Sequence, residues 1–254
     1  AKLNDVDSIN ILRTFQQNRN ISDDDLKKIA TKCGNIALAL SIVGAAIAKN
    51  NVLAVNRLLE LVVPKEMNGK MNALLKWSFE SLDEKLRVVL QQSSSFPFPF
   101  SEASFNEAFS VDGVMDLLEL LNRGWLSWMK DESRFAMHDV VREYVQSTVE
   151  NQRQAELSNL VRKCFANLLH RLNNQYRSGD STIAIKAVQS EMNSILWMME
   201  TDQDGLLLDV GDEIVDLCVD VKYRRAYYGK LVDRVGRQTN TDRKSTRLNS
   251  SHLG

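Results

Sequence analysis

The sequence predicts a mainly α-helical chain with one small β-hairpin. Three observations carry that prediction. Proline and glycine are scarce, 3 and 11 of 254 residues, so few points interrupt a helix. Apolar residues recur along most of the chain at the i, i+3, i+4, i+7 spacing of an amphipathic helix. Only residues 125–129 and 134–137 read as strands, and the polar turn Lys130-Asp131-Glu132-Ser133 joins them.

Composition narrows the class. With 44% hydrophobic and 26% charged residues, the chain suits a globular protein of one to three domains with real cores. Lys and Arg number 32 against 33 Asp and Glu, a net charge of −1. Nothing in that balance argues for a polyanion or an anionic membrane as partner. The cysteines Cys33, Cys164 and Cys218 lie far apart, each within an apolar helical pattern. They read as core thiols of a reducing, cytoplasmic compartment. No apolar run approaches the roughly 18 residues of a membrane span. The chain opens on Ala-Lys-Leu, directly in a helical pattern, and reads as a fragment of something longer. Residues 242–254, starting Asp242-Arg243-Lys244-Ser245-Thr246-Arg247, resemble the in-frame translation of a sequencing-library adapter; the alternative is a basic, Ser-rich disordered tail. Either way they are left out of the fold.

Residues 1–65 form the first helical subdomain. Leu3, Val6, Ile9, Ile11, Leu12 and Phe15 make a stripe over 3–18. Ser22, with Asp25 three residues on, has the form of a capping box, and Leu26, Ile29, Ala30 and Cys33 follow at helical spacing. Gly34 supplies a stop. A helix from about Ile36 through Ile47 is apolar nearly all round and should be buried on most faces. A third runs over about 52–63 and ends at Pro64.

Residues 66–152 read as helix, helix, short helix, helix, hairpin, helix, the order of a winged helix. Leu74, Leu75, Phe79 and Leu82 mark the first. Ser81-Leu82-Asp83-Glu84 is read as a second capping box, leading into Leu86, Val89 and Leu90. Phe96-Pro97-Phe98-Pro99-Phe100 breaks the helix and should run extended, with its phenylalanines anchored in a core. Ser101 can cap a short helix carrying Phe105, Ala108 and Phe109. Asp112 can cap the next, with Val114, Leu117, Leu118 and Leu121 on one face and Gly124 at its end. The hairpin then ends on Met137 and His138. Asp139 stands in N-cap position, and Val141, Tyr144, Val145 and Thr148 fall at helical spacing behind it.

Residues 153–241 read as helical pairs, a stacked α-helical array of tetratricopeptide-like kind. Leu157, Leu160, Val161, Cys164, Leu168 and Leu172 give one long helix, and a turn follows at Tyr176-Arg177-Ser178-Gly179-Asp180. Ile185, Val188, Met192, Ile195, Leu196 and Met199 give a second. Leu207, Val210, Ile214, Leu217, Cys218 and Val221 give a third; Tyr227, Leu231 and Val235 give a weaker fourth. No clean repeat appears at the roughly 34-residue period of tetratricopeptide repeats.

The chemistry is sparse. The start of a helix carries unpaired N–H groups and partial positive charge, so an imidazole at that corner is placed to meet a phosphate. A histidine that merely ends a strand and is hydrogen-bonded there fits the local pattern as well. No G-x-x-x-x-G-K-[ST] loop occurs. Asn68-Gly69-Lys70-Met71 has the Gly-Lys pair, but Pro64 stands where the first glycine belongs and Met71 where the hydroxyl belongs. His170, between Asn167 and Arg171, reads as a solvated helix residue. The chain is therefore not expected to be an enzyme by itself. A winged helix raises DNA binding, but residues 112–123 hold Asp112, Asp116 and Glu119 against Arg123 alone. Duplex binding rests on several Lys or Arg contacts to phosphate. Trp77, Trp125, Trp128, Trp197, Met198 and Met199 read as core. Tyr223-Arg224-Arg225-Ala226-Tyr227-Tyr228 reads as an exposed helix or turn, with partner binding the alternative.

Met137-His138-Asp139 resembles the MHD motif of the NB-ARC branch of the STAND NTPases, the family of plant disease-resistance and animal apoptosome proteins. Ile29-Ala30-Thr31-Lys32-Cys33-Gly34-Asn35-Ile36-Ala37-Leu38-Ala39-Leu40 resembles that family's GLPL region. Lys76-Trp77-Ser78-Phe79-Glu80-Ser81-Leu82 stands where the family has a serine–aromatic–leucine signature, and residues 153–221 resemble the helical segment ahead of the repeats in animal members. The resemblance implies part of a signalling switch, of the kind used in innate immunity and apoptosis. ADP would hold its closed state, and exchange for ATP would release the winged helix and allow self-oligomerisation and binding of protein partners. The nucleotide-binding core would be a missing upstream domain, so ADP/ATP binding is expected only with it. His138 would contact the β-phosphate, Asp139 would cap that corner, and Ala37 would line the base pocket. The family has a proline at the Ala37 position; alanine keeps an apolar surface and loses the ring. Two other classes stay open: a winged-helix DNA-binding regulator, and a nucleotide-independent helical scaffold for protein binding.

Overall fold

The computed structural model describes residues 3–15, 21–49, 67–201, 217 and 229. The chain divides into two units, Ala1–Leu157 and Ser158–Gly254. Among the described residues there are eleven helices and one two-stranded antiparallel sheet. The fold is mainly α, as the sparse proline and the helical periodicity predict.

Helix α1 (Asp5–Thr14) is capped by Asn4, whose side chain accepts from the Asp7 N–H at 2.8 Å. Its buried face is Ser8 and Leu12, while Val6 of the predicted stripe is 67% exposed. The buried Ser8 hydroxyl is satisfied by donating to the Asn4 carbonyl at 2.8 Å. Helix α2 (Asp23–Lys32) starts at Ser22 as predicted. The Ser22 hydroxyl accepts from the Asp25 N–H at 3.2 Å and donates to the Asp25 carboxylate at 2.8 Å. The turn after α2 places Gly34 and Asn35 at φ 66° and 57°, a left-handed pair that reverses the chain. Helix α3 (Ala37–Lys49) then buries Ala39, Leu40, Ile42, Val43, Ala45 and Ile47. It runs close to the end of α1 because Gly44 has no side chain: a Cβ there would lie 2.5 Å from the Phe15 ring. The helix predicted over 52–63 lies outside the described residues.

The winged-helix order follows in the same unit. Helix α4 (Met67–Glu80) leads to α5 (Glu84–Ser94). The cap of α5 is Asp83, which accepts from the Leu86 N–H at 2.9 Å. Ser81 was expected in that role; its hydroxyl instead donates to the Ser78 carbonyl at 2.6 Å, finishing α4. The segment after α5, expected to run extended, bends at Pro97 and Phe98 instead. Phe96 and Phe100 are buried and stacked, ring centroids 4.4 Å apart, while the bend leaves Phe98 facing out. Ser101 caps α6 (Glu102–Phe109), and Phe105 joins the Phe96–Phe100 stack.

Helix α7 (Val114–Asn122) does not start on Asp112. Gly113 holds the cap position, and its N–H is taken by the Asn106 side chain at 3.0 Å. The face predicted for α7 is also shifted. Leu117 and Leu120 are buried, while Leu118 is exposed. Four leucines in five positions cannot all face one core, and the spacing alone does not choose between them. Strands β1 (Ser127–Met129) and β2 (Arg134–Ala136) pair antiparallel, Trp128 opposite Phe135. Phe100 adds a further bridge to Phe135, the two residues exchanging N–H···O bonds of 2.9 Å each. Helix α8 (Asp139–Ser147) closes the unit's winged helix.

Helix α9 (Asn151–Arg177) begins within the first unit's residues. In the second unit its Val161, Phe165 and Leu169 are buried, with Gly179 at φ 112° in the turn that follows. The single helix predicted across 185–199 is two: α10 (Ser181–Ser190) and α11 (Met192–Thr201). The break falls at Glu191, whose N–H is shared between the carbonyls of Ala187 and Val188 at 3.2 Å each. No glycine or proline marks it, so an unbroken apolar period hid it. The third and fourth helices of this array, the segment 223–228 and the tail 242–254 lie outside the described residues, apart from Leu217, which is helical and buried, and Gly229.

Candidate functional site

The His138 corner is built by what lies on either side of it. Upstream, the hairpin is pinned from below. Phe135 is buried between Phe100 and the Trp128 ring, at centroid distances of 6.0 and 4.9 Å. Buried Arg134 donates to the Pro99 carbonyl at 3.1 Å. Met137 then turns inward and is buried. Downstream, α8 buries Val141 and Val145 and packs on α4 and α5. Tyr144 meets the Phe79 ring edge-on at 6.1 Å, and Gln146 donates to the Ser94 carbonyl at 2.9 Å. Burial, and secondly the Glu80 carboxylate, push the Tyr144 hydroxyl above its ordinary pKa, so it stays a neutral phenol. Between two buried anchors, His138 is left exposed.

His138 is itself the N-cap of α8, with extended backbone at φ −65° and ψ 139°. Its Nδ1 accepts from the Val140 N–H at 3.3 Å. Asp139, expected at the cap, is the first helical residue instead. The imidazole takes the role because its ring nitrogen reaches the same N–H that a short polar side chain would take. A neutral imidazole accepting at Nδ1 carries its hydrogen on Nε2. The free end of the ring is then a donor, and Nε2 has no partner among the described residues.

Arg142 ties the corner together. It donates to the Met137 carbonyl at 3.2 Å and to the Asp139 carboxylate at 3.0 Å. The Arg142 side chain is 16% exposed and that of Asp139 is 86% exposed. Burial pulls the guanidinium below its ordinary pKa, while Asp139 pulls it back. The charge stays, since no protein environment here approaches deprotonating an arginine. Arg142 thus neutralises the carboxylate next to the imidazole and fixes the strand end to the helix start. Sequence reasoning passed over Arg142; the signal available was its i, i+3 spacing from Asp139.

Ala37 is the first residue of α3 and is exposed. No hydrogen bond joins it to the His138 corner. Two residues before it, Asn35 donates from its amide nitrogen to Asp5 at 3.1 Å, and its Oδ1 is buried without a hydrogen-bond partner. The two sides of the unit meet at Gly124, where a Cβ would stand 3.1 Å from the Ser41 carbonyl of α3. Ala37 and His138 are therefore two separate helix starts of one unit. Among the described residues no group of three or more His, Cys, Asp or Glu could hold a metal ion. No described helix is long and apolar enough to cross a membrane.

At His138 the group that can meet an anion such as a phosphate is the outward ring N–H; the Val140 N–H is taken by Nδ1, and the Asp139 carboxylate beside it is paired with Arg142. At Ala37 the fit is limited to one exposed methyl, which offers a flat base apolar contact and no hydrogen bond.

Fold and corner together define a mainly α-helical chain carrying a winged helix whose wing delivers a histidine to a helix start. No family model matches the sequence, and no curated protein matches it. Among solved structures the chain is similar to a Signal Transduction ATPase with Numerous Domains (STAND) protein with a tetratricopeptide repeat sensor from Pyrococcus horikoshii. The likeness covers 91% of this chain at 16% identity with a TM-score of 0.49, and spans 34% of that chain.

Proposed function

We propose that this chain is a regulatory part of an ADP/ATP-binding signalling switch, acting together with a nucleotide-binding domain supplied by further sequence. In this reading His138 donates from Nε2 to the β-phosphate of ADP and holds the winged helix in the closed state. Arg142 and Asp139 keep that corner rigid, and Ala37 gives at most a weak apolar contact to the base. Exchange for ATP removes the contact, frees the winged helix and permits self-assembly and partner binding. A ligand shifts such an equilibrium only by its difference in contact energy between the two states. The observation that carries the reading is the exposed imidazole, engaged at Nδ1 and open at Nε2, between the buried anchors Met137 and Val141. This part carries no phosphate-cradling loop and is proposed not to hydrolyse ATP alone.

The DNA-binding reading is disfavoured by the charges on α7. Asp116 takes Lys85 at 2.9 Å and Glu119 takes Arg123 at 2.7 Å, so the nearby cations are already paired with acids. That leaves little to meet a duplex backbone.

The test is the nucleotide content of a longer chain that includes the upstream sequence. Purified, denatured and chromatographed, it should release close to one ADP per chain. Protein that carries no nucleotide and takes none up would favour the scaffold reading.

A further inference from the structure

On another face of the winged helix, α5 and the loop into α7 bound an open groove of about 510 Å³. Its apolar lining includes Val88 and Val111, 42% and 41% exposed. Large apolar side chains left in water together mark an interaction surface more often than chance. The rim is acidic: Glu84, Asp112 and Asp116 line it with Lys85 as its cation. Lys85 is paired with Asp116, so Glu84 and Asp112 are left without an ion-pair partner among the described residues. Glu84 opens α5, and Asp112 stands two residues ahead of α7.

We infer that this groove docks a basic amphipathic helix from a partner protein. Apolar side chains at helical spacing enter between Val88 and Val111, and flanking Lys or Arg meet Glu84 and Asp112. A volume of this size takes more than one side chain, as helix-in-groove recognition requires. The sign of the rim selects the partner: an acidic helix, a nucleic acid or an anionic lipid surface is repelled by the same two carboxylates. The inference does not depend on nucleotide binding at His138.

The experiment uses the full chain and two fluorescein-labelled synthetic helices of 14 residues, one of Leu and Lys and one of Leu and Glu in the same pattern. Anisotropy should rise with the Lys peptide and not with the Glu peptide. Glu84→Gln with Asp112→Asn should weaken binding about fivefold, as expected for two exposed ion pairs. Val88→Ser with Val111→Ser should weaken it about tenfold through lost apolar contact. Exposed acids of the same unit that do not line the groove serve as the control: Glu102→Gln with Asp24→Asn should leave binding unchanged. Circular dichroism melts confirm that each variant is folded. The proposal is overturned if the Lys peptide does not bind, if the Glu peptide binds equally, or if the control pair weakens binding as much as the groove pair.

Discussion

Gly124 rests directly on the backbone of α3, where a Cβ would lie 3.1 Å from the carbonyl oxygen of Ser41. This contact joins the helical subdomain to the winged helix, and Gly124 makes it while at φ +74°. Both demands point to glycine: a left-handed turn and a backbone-to-backbone approach. Gly124→Ala should therefore cost about 1–3 kcal/mol, from strain and from the contact together. Ser41→Ala keeps the backbone that Gly124 touches and should stay within about 0.5 kcal/mol of wild type. Urea midpoints of the two variants check this; equal midpoints would remove Gly124 from the joint.

The start of α5 offers a second check. Asp83 caps the Leu86 N–H, while Ser81 belongs to the end of α4. Asp83→Ala should cost about 1 kcal/mol, the usual worth of a cap. Ser81→Ala should cost clearly less. Thermal melts of both variants separate the two assignments, and a larger loss for Ser81 would contradict the cap described above.

Cys33 is buried, and burial pushes its thiol up to about 12. A raised pKa keeps the sulfur protonated, and the thiolate is the reactive form. At pH 8, iodoacetamide should leave Cys33 unmodified in the folded chain and label it once urea unfolds the protein. Peptide mass mapping reads this directly. Rapid labelling of Cys33 in the native chain would mean that α2 is not packed on its neighbours as described.

Much of the architecture was legible because it rests on local chemistry. Ser22 and Ser101 announce their helices, Gly34 and Gly124 end theirs, and the Phe-Pro alternation over 96–100 announces a helix break anchored by the buried Phe96 and Phe100. What was not legible depends on competition between equivalent residues. Ser81 and Asp83 both suit a cap, and only packing at the end of α4 decides between them. Asp112 lost its role because α7 starts one residue later, with Gly113 in the cap position and its N–H held by Asn106. The break at Glu191 leaves no mark in the apolar period. At the candidate site, the position of His138 at a helix start was readable from the hairpin and the pattern behind it. Its capping bond to Val140 was not, because histidine is a rare cap. The bracing by Arg142 was overlooked because charged pairs at helical spacing usually serve only the surface.

The central claim is that the outward imidazole of His138 holds a nucleotide phosphate. The measurement closest to it is the dissociation rate of fluorescent ADP from the longer chain, compared between wild type, His138→Ala and Asp139→Val. A charge-assisted contact of about 1.5–3 kcal/mol corresponds to roughly tenfold or more in affinity. His138→Ala should therefore release ADP at least tenfold faster and shift the protein toward the assembled state, with a smaller effect in the same direction for Asp139→Val. Unchanged release rates in both variants would contradict the account.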